Sequence, residues 1–178
     1  MNEKKVVQKL FFVWDFEKEE KWLNEMADDG WMLESVGFCR YTFVPCEPGT
    51  YTIRLEMHDK DMKYIDGLED TGAEFVGNVM SWLYFRKKKE LGAFDLFSDS
   101  QERIAHLDRI SKMLLCLGAA NLCIGLGFFN LDSTLFVNFN IILAAVVMYG
   151  YARIQGKKEY LQDACQKTKR IERKTKND

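Results

Sequence analysis

Few side chains in this sequence have the type and spacing to do chemistry. The histidines are His58 and His106, and the cysteines are Cys39, Cys46, Cys116, Cys123 and Cys165. A zinc site of the finger type needs ligand pairs at short spacing, because four donors must converge on one ion, and no CxxC pair occurs. The odd number of thiols reads as small apolar residues of a reducing compartment, with no metal and no cofactor implied. Carboxylate pairs occur at Asp28/Asp29 and Glu69/Asp70, each at the exposed C-terminal end of an expected helix, a poor place for a catalytic dyad. No P-loop, GxGxxG, GxSxG or HExxH is present. The sequence therefore reads as non-enzymatic, with no catalytic residues. The aromatics of "EKWLNEMADDGWML", residues 20–33, pose the remaining question: whether Trp22 and Trp31 are a binding box or only fold.

The elements around them follow from periodicity. Residues 4–14, "KKVVQKLFFVW", are β-branched and aromatic and predict a strand. Asp15 is placed to cap a helix in which Phe16, Trp22, Leu23, Met26 and Ala27 share one face and Gly30 is the stop, with Trp31 packing back near Met26. "EPGT" predicts a hairpin turn between "CRYTFVPC" and "YTIRLEM". A register of Phe43 with Ile53, Tyr41 with Leu55 and Cys39 with Met57 puts the apolar side chains on one face. That register sets Arg40 opposite Glu56 and Thr42 opposite Arg54 on the other face, and it separates Cys39 from His58, which argues against a Cys–His nucleophile. A second helix from about 60 to 71 stops at Gly72, and "AEFVGNVMSWLYFRKK" predicts the last strand.

The opening stretch has an echo. Residues 21–30, "KWLNEMADDG", align with residues 63–72, "KYIDGLEDTG", Trp22 on Tyr64 and Gly30 on Gly72. Two similar halves in the order strand, helix, strand, strand, helix, strand fit an α+β, ferredoxin-like βαββαβ domain over 1–90. Both helices then cover one sheet face, and Arg40, Arg54, Glu56, Trp82 and Tyr84 mark the open one as a partner or ligand face. A dimer or partner surface, a small-ligand pocket and an RNA platform are its possible uses.

Residues 91–112 read as a linker and stem helix. Behind them, 113–131 and 133–152 are charge-free runs near the roughly 20 residues a helix needs to cross a bilayer core, predicting a two-helix transmembrane hairpin. Arg103, Arg109 and Lys112 before it, and Arg153, Lys157 and Lys158 after it, place both termini in the cytoplasm of an inner-membrane, multi-pass protein. The "NLDST" turn carries no Lys or Arg, and the N-terminus shows no secretory signal. Small residues such as Gly118 and Gly125 predict close packing of the two helices. Residues 153–178 form a basic, amphipathic tail suited to anionic lipid heads or to the acidic front of the chain. Residues 1–100 hold 13 basic against 20 acidic side chains, and residues 101–178 hold 12 against 7. The acidic front argues against nonspecific nucleic-acid binding, which depends on cations neutralising phosphates.

"EKWLNEMADDGWMLESVGFCRYTFVPCEPGTYTIRLE", "LEDTGAEFV", "WLYFRKK" and "FDLFSDSQERI" together resemble the domain-of-unknown-function 2812 family of bacterial membrane proteins, often encoded beside PadR-like transcriptional regulators. The family has no assigned catalytic residue. The resemblance implies sensing or regulation at the membrane, by association with those regulators. The expected partners are the lipid bilayer and either a cytoplasmic transcriptional regulator or a subunit of a larger membrane transport complex, with a homodimer as a further option.

Overall fold

In the computed structural model, which describes residues 4–127 and 134–175, the chain forms two compact units, Met1–Ser98 and Asp99–Asp178. The first holds β1 (Lys5–Gln8), a 3₁₀ turn (Val13–Asp15), α1 (Phe16–Asp28), β2 (Trp31–Gly37), β3 (Arg40–Pro45), β4 (Tyr51–Met57), α2 (Met62–Glu69), β5 (Ala73–Val79) and β6 (Trp82–Lys88). Its strands make two three-stranded sheets, ordered β1-β3-β2 and β4-β6-β5.

The unit is a duplication, and the repeat is βαββ rather than half of a βαββαβ sandwich. Every residue pair of the β2–β3 hairpin recurs in the β5–β6 hairpin with both partners moved on by 42 positions: Trp31–Pro45 becomes Ala73–Lys87, Leu33–Phe43 becomes Phe75–Phe85, and Gly37–Arg40 becomes Val79–Trp82. The bulge recurs as well, between Leu33 and Ser35 in one hairpin and between Phe75 and Gly77 in the other. The echo at 21–30 and 63–72 is the start of this repeat. Gly30 and Gly72 both end their helices in the left-handed region, at φ +86° and +85°, where a side chain would be strained.

The expected ferredoxin-like sheet is overturned. β3 and β4 do not pair with each other: β3 lies between β1 and β2, and β4 pairs with β6, so the Phe43–Ile53 register does not form. "EPGT" links the two repeats instead, with the Gly49 N–H donating to the Ala27 carbonyl at the end of α1. The real hairpins turn at Phe38–Cys39 and Met80–Ser81, where Cys39 (φ 53°) and Met80 (φ 52°) occupy the left-handed region without the usual Gly or Asn.

The helices also fall on different faces. Ile65 of α2 packs with Leu83 and Phe85 on one face of the second sheet, sealed by Phe94 and Leu96. Tyr84, between those two strand residues, points to the opposite face and meets α1. α1 also covers Tyr41 and Phe43 of the first sheet through Trp22. In addition it closes the outer edge of β4: the Asn24 side chain donates to the Ile53 carbonyl and accepts from the Ile53 N–H, both at 2.9 Å, and Glu20 accepts from the Leu55 N–H. A side-chain amide thus does the work of a neighbouring strand on an edge that would otherwise be open.

The second unit pairs α3 (Ser100–Gly127) with α4 (Thr134–Thr175). Close packing at small residues is present: a Cβ on Gly118 would fall 2.9 Å from the Met148 sulfur. Lys158 bonds Asp108 across the pair at 2.7 Å. Among the described residues one helix, Ser100–Leu126, is long and apolar enough to cross a membrane, its most apolar 18-residue stretch having a mean hydropathy of 1.4. The expected two-span hairpin, and with it the multi-pass topology with both termini cytoplasmic, is overturned. α4 is one continuous helix that takes in the charged segment from Arg153 onward, and no window of its described residues is apolar enough. The "NLDST" turn lies largely outside the described residues. One apolar helix remains consistent with some membrane association.

Candidate binding site

The most site-like cluster of the first unit is built on α1. The chain leaves β1 at Gln8, and the Lys9 N–H donates to the Cys39 carbonyl at 3.1 Å, which pins Lys9 beside the first hairpin. Its ammonium then lies over two rings, 4.3 Å from the Trp22 centroid and 5.0 Å from that of Phe11. Phe11 tilts against Trp22 at 5.6 Å, and Trp22 meets Tyr41 edge-on at 5.0 Å and Phe43 edge-on at 5.7 Å. Lys9 is exposed, Phe11 and Trp22 are half-buried, and Tyr41 is buried. Ring faces carry negative quadrupole potential, so this cluster accepts a cation, and the chain's own lysine fills the place.

A buried acid stands behind it. The hydroxyls of Tyr41 and Tyr84 both donate to Oε1 of Glu19, at 2.7 and 2.6 Å. Glu19 is three residues before Trp22, on the turn of α1 above it. Burial pushes its carboxyl above the ordinary carboxylate value, an effect the two hydroxyl bonds partly offset. Burial and the adjacent Glu19 push both tyrosines upward, so they remain neutral donors.

The duplication supplies a counterpart. His58 follows β4 as Lys9 follows β1, and its N–H donates to the Ser81 carbonyl at 2.9 Å, 42 positions on from Cys39. The His58 ring stacks on Tyr64, the equivalent of Trp22, at 4.2 Å and 14°. The Tyr64 hydroxyl donates to Glu56, which is 2% exposed. Each repeat thus sets a basic side chain over the aromatic ring of its helix.

The five residues expected to share one open face are divided. Arg40 is exposed at the first hairpin. Arg54 and Glu56 lie on the α2 side of β4: Arg54 bonds the Phe94 carbonyl at 3.0 Å and Glu20 at 3.1 Å, and Glu56 takes the Tyr64 hydroxyl. Trp82 packs on Phe16, with centroids 5.6 Å apart, and Tyr84 is buried on Glu19. Nothing in the local sequence pattern marks Lys9, Phe11, Glu19 and Tyr41 as one site. The 42-residue echo pairs Trp22 with Tyr64, but Lys9 and His58 lie 49 positions apart and are matched only by their backbone bonds to Cys39 and Ser81. Trp31 opens β2, half-buried beneath the Lys5 ammonium at 4.9 Å. Among the described residues no group of histidine, cysteine and acidic side chains is placed to hold a metal ion.

No curated protein and no solved structure matches the chain. A family model does, over residues 15–119, from the start of α1 into α3. The chain belongs to the family described as protein of unknown function, DUF2812.

Proposed function

We propose that this protein is a membrane-associated, non-enzymatic regulatory module whose first unit recognises an organic cation, free or carried on a protein partner, at the Lys9–Phe11–Trp22–Tyr41 cluster. The observation that carries the reading is the Lys9 ammonium 4.3 Å from the Trp22 centroid: the rings hold a cation that belongs to a mobile type of side chain and can be displaced. The buried Glu19 adds negative charge behind the rings whenever it is ionised. α3 supplies the membrane association, and the resemblance to proteins encoded beside transcriptional regulators supports a regulatory output.

The test is calorimetric titration of the full chain in detergent with tetramethylammonium. Lys9→Ala removes the internal competitor and is expected to tighten binding about two- to fivefold, the equivalent of an exposed cation–π contact of about 0.5–1 kcal/mol. Trp22→Leu is expected to abolish it. Equal heats for the unmodified chain and both variants contradict the proposal. A second reading, an accessory subunit of a larger membrane complex, is favoured by the exposed Leu115, Leu122 and Ile124 on α3. Co-purification with a multi-span protein, lost on Leu122→Ser, is its signature.

A further inference from the structure

The two hairpin tips carry the most exposed large apolar side chains of the first unit, at equivalent places in the repeat. Phe38 is 79% exposed and Met80 is 81% exposed. A two-residue turn normally takes Gly, Asn or Asp, and Met80 in addition occupies the left-handed region, so neither residue is there for the turn's sake. Among the described residues of their own unit nothing covers either of them.

The tips lie at one end. β2 and β5 run side by side in the same direction: Arg86, the register partner of Glu74, bonds the Leu33 carbonyl at 2.7 Å, and a Cβ on Gly77 would sit 3.4 Å from Val36. The strands therefore reach Phe38 and Met80 together. Leu10, 63% exposed, joins them, because the Lys9 N–H is bonded to the Cys39 carbonyl in the first tip. Arg40, exposed at the first tip, and Trp82, at the second, flank the apolar points, and both are side-chain types suited to a polar–apolar boundary.

We propose that this edge inserts into the headgroup region of a lipid bilayer, with Phe38, Met80 and Leu10 as the inserting side chains. The occupant is lipid because α3 keeps the chain at a bilayer, where a contact too weak to bind from solution is held at high effective concentration. The inference rests on that membrane association. The first hundred residues are acidic, with 13 basic against 20 acidic side chains, so the contact is apolar and does not require anionic headgroups.

The test uses the full chain in phosphatidylcholine nanodiscs with the photo-crosslinker p-benzoylphenylalanine at one position at a time. Position 38 reads the tip. Position 47, exposed beyond the other end of β3, reads background, and position 122, exposed on α3, reads membrane association. Lipid adducts at 38 and 122, several-fold above 47 and reduced at 38 by Met80→Ser, are expected. All the changed side chains but that at 122 are solvent-exposed in the first unit, so its fold is preserved. An adduct at 122 with background at 38 overturns the inference and leaves the membrane reading standing. Background at both overturns the two together. An adduct at 38 with a second copy of the chain overturns lipid as the occupant.

Discussion

The two βαββ repeats follow one path and register and yet bury different chemistry. In the second, Ile65, Leu83 and Phe85 form an aliphatic and aromatic core that the following segment closes with Phe94 and Leu96. In the first, the positions of Tyr64 and Leu83 are taken by Trp22 and Tyr41, and the outer side of the cluster is covered by Lys9 and Phe11. One copy of the motif is sealed by its own chain, and the other is stoppered by a charged side chain. A duplicated frame thus carries two different covers over equally buried cores, with Leu23, Leu33 and Phe43 in one and Leu83 and Phe85 in the other all fully buried.

The difference can be broken at its strongest point first. Phe85→Ala in the sealed repeat, where the ring is fully buried, is expected to cost about 3–5 kcal/mol in chemical denaturation followed by tryptophan fluorescence. A loss below about 1 kcal/mol contradicts the sealed core of the second repeat. Next comes the joint between the repeats. Asn24→Ala leaves the Ile53 N–H and carbonyl without their side-chain partner at the edge of β4, for an expected loss of about 1–3 kcal/mol. Amide exchange at Ile53 should accelerate in that variant, and unchanged protection there refutes the edge assignment.

A smaller effect separates the repeats by pH. The Glu19 carboxyl is raised above its ordinary 4.5, so the folded chain takes up its proton before the unfolded chain does as pH falls from neutral. This group therefore adds stability as pH falls through the raised value, and below 4.5 the gain is complete. Glu19→Gln, whose amide oxygen still accepts from Tyr41 and Tyr84, is expected to flatten that part of the stability profile and to be no less stable at neutral pH. A steeper profile in the variant contradicts the burial argument. The smallest effect belongs to Trp31, half-exposed under Lys5: Trp31→Ala is expected to cost about 1 kcal/mol, well short of a core aromatic.

The helices and their stops were legible in the sequence because glycine punctuates and apolar period both act locally: Gly30, Gly72 and the stripe of Leu23 and Met26 all serve as read. The strand partners were not. "EPGT" has the composition of a hairpin turn but joins two repeats, and the true turns at Phe38–Cys39 and Met80–Ser81 carry no Gly, Asn or Asp. Composition pointed away from both because tertiary pairing, with β3 held between β1 and β2, outweighs local turn preference. The same misplacement put Arg54 and Glu56 on an open face when α2 and Phe94 cover it. In the second unit each charge-free run, taken alone, has the length of a span, whereas α4 continues without a break into its charged half. Of the site, Tyr84 is marked by its strand position, while Lys9 and Glu19 are not, because cation–ring and carboxylate–hydroxyl contacts across elements leave no local pattern.

As a cation site, the first repeat's aromatic cluster must accept a cation other than Lys9. The direct measurement is the indole N–H resonance of Trp22, assigned by Trp22→Phe, in the full chain titrated with tetramethylammonium. A saturable shift at this one of the four indoles, reached at lower concentration in Lys9→Ala, is the expected result. A Trp22 resonance that stays in place in both chains, or that moves only in step with the other indoles, contradicts it.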